Sequence, residues 1–365
     1  MPHTIVLAGG GTGGHVYPAL AMGDALRDRG HQLHYYGDGA RLEGRVAPER
    51  GYPFRAVAAP AFPRSGVVSR LRFLAQLLGA VAEARRYLKE DRAEAVLGVG
   101  GYVMAPTVFA AWTLGIPSFL HESNVAPGLA NKACARVATK VFLTWPETAK
   151  RLPAAVQSEV VGCPVHPRIL QGDRAAARAR YGLPADARVL LVVGGSLGAA
   201  TLNDLALSFA RATEGDPEVA LLHVTGPRFH DEVRARYGAV PSHVALVGYE
   251  DRMGDAYAAA DLVVCRAGSS TLSELCAVGK ASVLVPSPNV TDNHQEANAR
   301  GLERAGAAKV FVEKGFDAAA VVAELRRLLA DTPALAAMGA AAKGLSHGDV
   351  AGKVADELER GAGWA

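Results

Sequence analysis

Three glycine turns each follow an apolar run and open a helical pattern: Gly9-Gly10-Gly11-Thr12-Gly13-Gly14 before His15, Gly98-Val99-Gly100-Gly101-Tyr102, and Gly194-Gly195-Ser196-Leu197-Gly198. Glycine permits positive φ and close backbone approach, and the helix N-terminus that follows offers N–H groups and a partial positive charge to an anion. Each turn alone is equally what a tight strand-to-helix connection looks like. The dinucleotide fingerprint is not met: about 20 residues past the first turn, where an acidic residue would close the second strand, stand His34, Tyr35 and Tyr36. A nicotinamide cofactor is therefore disfavoured.

A more specific constellation is Cys265-Arg266-Ala267-Gly268-Ser269-Ser270-Thr271-Leu272-Ser273-Glu274. Ser270 or Thr271 is placed to cap a helix, amides there suit a diphosphate, and Glu274 suits two vicinal hydroxyls such as those of ribose. The same spacing fits a capping box from Thr271 to Glu274 with no ligand at all. Next come Pro286-Ser287-Pro288, then Asp292-Asn293-His294-Gln295 and Asn298. Polar groups crowded at the carboxyl end of a strand are where open α/β sheets bind ligands.

The elements that must hold these loops alternate strand and helix. Apolar runs Thr4–Ala8, Leu33–Tyr36, Ala95–Val99, Ile116–Leu120, Lys140–Leu143 and Val156–Val161 make a first series. A second follows Pro164 and Pro167: Arg188–Val193, Val219–Val224, Val244–Val247, Leu262–Cys265, Ala281–Val285 and Ala308–Val312. Two Rossmann-like α/β halves result, joined by a linker over residues 162–172, and 365 residues is more than one core usually serves. Beyond Pro333 the chain is helical and Ala-rich with no strand to place, so it is expected to pack back on the first half.

Half of the residues are apolar and 21% charged, which excludes disorder; the 40 glycines follow no repeat, which excludes collagen and low-complexity tracts. The net charge of +3 is uneven: residues 1–163 hold 18 Lys/Arg against 12 Asp/Glu, and the remainder 21 against 24. That gives no support to a nucleic-acid partner and leaves an anionic small molecule or membrane surface open. Cys134, Cys163, Cys265 and Cys276 show no metal-ligand spacing and read as buried thiols. No signal peptide is expected, since the run from Ile5 to Ala8 breaks at once into glycines. Ala95 to Leu120 carries no charge, but its glycines and prolines parse as strand, turn, helix (Val103–Leu114) and strand rather than as a membrane span.

GGGTGGH at the amino end, GVGGY at Gly98–Tyr102, HESN at His121–Asn124, GGSLGA at Gly194–Ala199, and CRAGSSTLSE followed by DNHQEANA resemble the MurG family, UDP-N-acetylglucosamine (UDP-GlcNAc) transferases that convert lipid I to lipid II in peptidoglycan synthesis. The motifs run in family order along essentially the whole chain. The resemblance implies a glycosyltransferase B fold, two Rossmann domains facing across a cleft. Residues 1–162 with a returning helix at about 344–365 would form the acceptor and membrane-associating domain, and 163–343 the donor domain. It implies that Glu274 holds the ribose hydroxyls, Ser196 and the Ser269, Ser270 and Thr271 amides the diphosphate, His294 and Gln295 the GlcNAc hydroxyls, Asn124 the sugar from the other wall, and Tyr249 the uracil. Thr12, Gly13, Gly14 and His15 fall on the acceptor side. The family often reads HEQN, GGSQGA and GNPVR where this chain has Ser123, Leu197, and Cys163 with His166; Leu197 and His166 are given no ligand role.

Under this reading the acceptor is lipid I, the MurNAc 4-hydroxyl attacks the GlcNAc anomeric carbon, and no cofactor or metal is required, because helix N-termini neutralise the leaving UDP. His15, at a helix start where the dipole disfavours imidazolium, suits a general base; a turn histidine bonded to backbone is the plainer reading. Glu122 is the second candidate, and the residues alone do not order the two. Two rivals share the architecture: a non-hydrolysing UDP-GlcNAc 2-epimerase, and another UDP-sugar-dependent glycolipid transferase. A binding-only nucleotide-sugar module would need neither His15 nor Glu122.

Residues 51–82 contain Arg55, Arg64, Arg70 and Arg72 and no acidic residue. The stripe Val67, Leu71, Leu74, Leu78 is expected to cover the sheet as an ordinary amphipathic helix. Val68, Phe73 and Leu77 lie outside that stripe and, beside the arginines, suit a surface bound to anionic lipid at the cytoplasmic face of the cell membrane. The resemblance also leaves room for cell-wall synthesis proteins as partners.

Overall fold

A computed structural model describes residues 1–60, 66–290 and 293–364. The chain divides into two compact units, Met1–Pro164 with His347–Ala365, and Val165–Ser346. The first unit holds a seven-stranded parallel sheet: β1 Thr4–Ala8, β2 Gln32–Gly37, β3 Phe54–Ala56, β4 Ala95–Gly98, β5 Ser118–Glu122, β6 Lys140–Leu143 and β7 Ser158–Val160, in the order β3-β2-β1-β4-β5-β6-β7. The order reverses between β1 and β4, whose register aligns Ala8 with Gly98. The first two glycine turns therefore leave the sheet side by side at its carboxyl edge, the place where such sheets open a crevice.

Alternate residues of β1 serve different cores. Ile5 and Leu7 bury against the Gly13–Asp28 helix and against Val350, Val354, Ala355 and Leu358 of the Val350–Gly361 helix. Val6 and Ala8 face Ala80, Ala84 and Leu88 and the Ala105–Leu114 helix. A sheet covered on both faces explains strands that read as unbroken apolar runs. The Val350–Gly361 helix thus returns to the first unit. Val354 and Leu358 are fully buried, and each such side chain stabilises by about 1.5–3 kcal/mol. The partly buried ion pairs beside them, Lys140 with Glu357 at 2.5 Å and Arg29 with Glu359 at 3.0 Å, add less, because the desolvation of both charges offsets most of their attraction. Burial, not charge, holds this helix.

The second unit repeats the plan with six parallel strands: β8 Arg188–Val193, β9 Val219–Val224, β10 Val244–Val247, β11 Leu262–Cys265, β12 Ser282–Leu284 and β13 Ala308–Val310, ordered β10-β9-β8-β11-β12-β13. Its reversal lies between β8 and β11, where Val193 pairs with Cys265. The third glycine turn and the Arg266–Gly268 segment leave the sheet together.

Four expectations change. Pro106 sits in the first turn of a helix, where its missing N–H costs nothing, so that helix begins at Ala105 and Tyr102–Met104 forms a separate 3-10 turn. The proposed linker is partly ordered: Pro167–Leu170 is a 3-10 turn, and the chain packs so closely on the Met253–Ala259 helix that a Cβ on Gly172 would lie 2.2 Å from Gly254 O. The three-residue β3, an edge strand, was not anticipated. The Val67–Glu90 helix is turned about its axis: Leu71, Leu74 and Leu78 are 63%, 51% and 61% exposed, while Ala80, Ala84 and Leu88 are buried and Phe73, Leu77 and Val81 half-buried. The stripe expected to cover the sheet faces solvent. Arg64 and Asp292 lie outside the described residues. Among the described residues no helix is long and apolar enough to cross a membrane, and Ala95 to Leu120 resolves into β4, the 3-10 turn, a helix and β5.

Candidate active site

In the first unit the site residues sit at the carboxyl ends of β1, β4 and β5. Thr12 has extended backbone (φ −142°, ψ 157°) ahead of the Gly13–Asp28 helix, so Gly13, Gly14 and His15 form its first turn, where amides lack intrahelical acceptors. His15 Nδ1 lies 3.2 Å from Gly10 O and 3.3 Å from Thr12 Oγ1. A carbonyl only accepts, so Nδ1 carries a proton and, in the neutral ring, Nε2 is the basic nitrogen. The ring rests on Gly100, where a Cβ would come 2.7 Å from Cδ2 and φ is +99°. Only glycine satisfies both conditions.

Glu122 closes β5 and is buried at 2% exposure. Its Oε1 accepts from Asn124 N at 2.8 Å and from Asn124 Nδ2 at 3.3 Å, while Oε2 accepts from Gly128 N at 3.2 Å and from Asn131 Nδ2. Burial pushes its pKa up, against the lowering effect of those donors. Asn124 is held further by Thr148 Oγ1, which donates to Asn124 O at 3.1 Å. The neighbouring His121 donates from Nε2 to Gly162 O at 2.8 Å, and burial drops its pKa to about 4, so it stays neutral.

In the second unit the helix Ser269–Val278 starts three residues earlier than a Thr271–Glu274 capping box requires. Gly268 occupies the cap position, no side chain caps it, and Ser269, Ser270 and Thr271 fill the first turn. Glu274 does not reach back to that turn. Its Oε2 instead accepts from the Tyr257 hydroxyl at 2.7 Å, and burial pushes its pKa to about 7 against that bond. Among the described residues Ser270 Oγ is buried without a hydrogen-bond partner. Ser196, exposed in the third glycine turn at the end of β8, neighbours this loop through the β8–β11 pairing.

The loop after β12 leads to the His294–Arg304 helix, whose cap residue Asn293 is left-handed at φ +48°. Gln295 Oε1 accepts from Ser287 N at 2.9 Å, and Asn298 Nδ2 donates to Ala267 O at 3.3 Å. Gln295 and Asn298 therefore brace the helix on the β12 and β11 loops, and His294, half-buried, stands at its start. Tyr249, 59% exposed, follows β10, two strands from β8. The sheet order gathers Ser196, Ser269–Thr271, Glu274 and His294–Gln295 on three adjacent strands and sets Tyr249 on their flank. Sequence reasoning missed Tyr257, the partner of Glu274, and Glu43, whose carboxylate meets the first glycine turn. A tyrosine in an ordinary helix and an acid in a short polar one carry no signal of either contact.

Two parallel sheets, each with ligand-type loops at its carboxyl edge and with the last helix returned to the first, define a glycosyltransferase of the B fold. Residues 5–143 match the glycosyltransferase family 28 N-terminal domain and 189–354 the family 28 C-terminal domain. A Salinibacter ruber protein named UDP-N-acetylglucosamine–N-acetylmuramyl-(pentapeptide) pyrophosphoryl-undecaprenol N-acetylglucosamine transferase is 40% identical over 98% of this chain and 96% of its own. A relative of the same name from Desulforudis audaxviator is 36% identical over 98% of both. The crystal structure of Acinetobacter baumannii MurG, 29% identical, superposes with a TM-score of 0.80 over 98% of this chain and all of its own. The chain belongs to the MurG family. A kitacinnamycin glycosyltransferase, 20% identical with a TM-score of 0.73, shares the fold alone.

Proposed function

We propose that the protein moves GlcNAc from UDP-GlcNAc to the MurNAc 4-hydroxyl of lipid I, giving lipid II, with the first unit taking the acceptor and the second the donor. The observation that carries this is identity of 36–40% along essentially the full length with transferases of that name. A 2-epimerase would have no need of such end-to-end similarity.

Glu274 accepts the ribose hydroxyls, and Ser196 with the first-turn amides of Ser269, Ser270 and Thr271 receives the diphosphate. His294 and the amide nitrogen of Gln295 meet the GlcNAc hydroxyls, Tyr249 covers the uracil, and Asn124 contacts the sugar. Thr12, Gly13 and Gly14 present amides to the acceptor. The acceptor oxygen attacks the anomeric carbon as the bond to UDP breaks, the electron pair leaves on the diphosphate, and the hydroxyl proton passes to His15 Nε2. Preorganised amides at the diphosphate stabilise the charge that develops there. Glu122, its carboxylate committed to four donors, holds the loop that carries Asn124 and leaves the base role to His15.

The exposed Val67, Val68, Leu71, Leu74 and Leu78, flanked by the exposed Arg70 and Arg72, form an apolar and basic face on the acceptor unit. That face suits peripheral binding to anionic lipid at the cytoplasmic side of the membrane, where a lipid-linked sugar is presented. The test of the activity is transfer of labelled GlcNAc from UDP-GlcNAc to a lipid I analogue. Consumption of the donor without labelled product would overturn it.

A further inference from the structure

Glu43, on the short Leu42–Glu49 helix, is fully buried. A carboxylate is costly to remove from water unless donors replace its hydration, so its partners show what it is for. Oε2 accepts from Gly11 N at 2.9 Å and Oε1 from Asp38 N at 3.2 Å. The side chain fills space that two glycines vacate: a Cβ on Gly10 would overlap the carboxylate, and one on Gly37 would stand 2.6 Å from Cγ. The first glycine turn is folded around a side chain from outside it. The Gly11 N–H, which in an anion-binding loop would point at the ligand, is committed to Glu43.

From this contact the path to the proposed base is one peptide long. Gly10 O accepts from His15 Nδ1 at 3.2 Å, and Gly10 N reaches Gly100 O at 3.4 Å. The same segment also grips the second glycine turn. Asp38 Oδ2 accepts from Arg41 Nε at 3.1 Å, and Arg41 Nη2 donates to the Tyr102 hydroxyl at 2.8 Å.

We infer that Glu43 is a positioning residue for glycosyl transfer: its carboxylate fixes the Gly9–Gly11 backbone and, through Gly10 O, the tautomer and orientation of the His15 ring. This rests on the proposed role of His15. A side chain that merely fills space is replaceable by any of equal volume, whereas this one must accept two N–H groups at once. Glutamine has the volume but one acceptor oxygen, and its NH₂ would face the second N–H.

The test uses the full chain with Glu43→Gln, and Glu43→Asp as the variant that keeps charge and loses reach. In transfer of labelled GlcNAc to a lipid I analogue, Glu43→Gln is expected to lower kcat by about 10–100-fold, the scale on which small misplacements at a site act. KM for UDP-GlcNAc and the calorimetric affinity for UDP, which belong to the other unit, should stay unchanged. Nitrogen-edited NMR of the His15 ring should show a fixed Nδ1–H tautomer in the parent and a mixture in Glu43→Gln, with Glu43→Asp between them. An unchanged kcat and tautomer in folded Glu43→Gln overturns the inference, as does a kcat loss matched by a rise in KM for UDP-GlcNAc. If the parent transfers no GlcNAc, the transferase reading fails, and the tautomer comparison, which needs no substrate, still decides whether Glu43 positions His15.

Discussion

The Tyr257 hydroxyl donates to Glu274 Oε2 at 2.7 Å, and burial sets that carboxyl at a pKa of about 7. In the proposed ribose contact the hydroxyls donate to the ionised form, so UDP-GlcNAc binding is expected to expel a proton below pH 7. Affinity for UDP-GlcNAc, which has no phosphate titrating nearby, should fall by up to about tenfold per pH unit below 7 and level off above it. Glu274→Gln should flatten this dependence, and Glu274→Ala should cost about 1.5–3 kcal/mol of binding at pH 8. The same shift touches folding with a definite sign: the native carboxyl keeps its proton to about pH 7, whereas the unfolded one releases it near 4.5. This group's contribution is therefore present below pH 4.5 and lost as the pH rises to 7 and beyond. Calorimetric titration from pH 5.5 to 8.5 is the measurement, and flat affinity in the parent removes Glu274 from the ribose.

Tyr257→Phe deletes the hydrogen bond that opposes the effect of burial on Glu274. The carboxyl then ionises at higher pH, so the rise in UDP-GlcNAc affinity should move upward by about one pH unit, the equivalent of ~1.4 kcal/mol. A curve that stays in place, in a variant with the parent's melting temperature, would mean that the bond does not govern the Glu274 proton.

Glu122 and His15 separate cleanly under substitution. Among the described residues Asn131 Oδ1 is buried without a partner beside Glu122, so a turned Asn131 amide gives the NH₂ of Glu122→Gln an acceptor, the remaining oxygen keeps Asn124 N, and Gly128 N alone loses its acceptor. Glu122→Gln should therefore keep turnover within about tenfold, while Glu122→Ala, which strands buried donors, should lose about 2–3 kcal/mol of stability. His15→Ala should retain UDP binding and lose turnover by about 10²–10⁴-fold. A dead but stable Glu122→Gln would transfer the base role to Glu122.

What could be read from the chain divides by how local the physics is. Lys140–Leu143, Arg188–Val193, Val219–Val224 and Leu262–Cys265 are strands over those very residues, because strands buried on both faces need apolar residues without interruption. The loops that gather Ser269–Thr271, Glu274 and His294 were legible for the same reason, as each is a polar cluster at the end of such a run. The three-residue β3 has no room for a pattern. The Glu274–Tyr257 and Glu43–Gly11 bonds join residues 17 and 32 positions apart, and nothing in either local sequence encodes the meeting. The Val67–Glu90 helix failed differently. Its leucine stripe is the more hydrophobic side, and the sheet took the alanine side, since Ala80 and Ala84 let the helix lie close.

That inversion supplies the last prediction. An exposed row of Val67, Leu71, Leu74 and Leu78 costs solvation in a protein that stays in water, and contiguous apolar surface of this kind marks an interaction site. Arg70 and Arg72 are exposed on the same helix, and each basic residue near an anionic bilayer contributes about 1 kcal/mol. Insertion of the leucines adds an apolar contribution that salt does not screen, whereas the arginine contribution fades within a Debye length of ~10 Å at 0.1 M salt. The two kinds of residue should therefore separate in vesicle co-sedimentation. Arg70→Gln with Arg72→Gln should remove most of the dependence on anionic lipid and on salt. Leu71→Ser with Leu74→Ser should weaken binding at every salt concentration. Both double variants should retain UDP affinity and the melting temperature, because none of the four side chains is buried in the core. Absence of binding to anionic vesicles at low salt, or binding indifferent to both pairs of substitutions, would remove the membrane role from this helix and leave its exposed leucines to a protein partner.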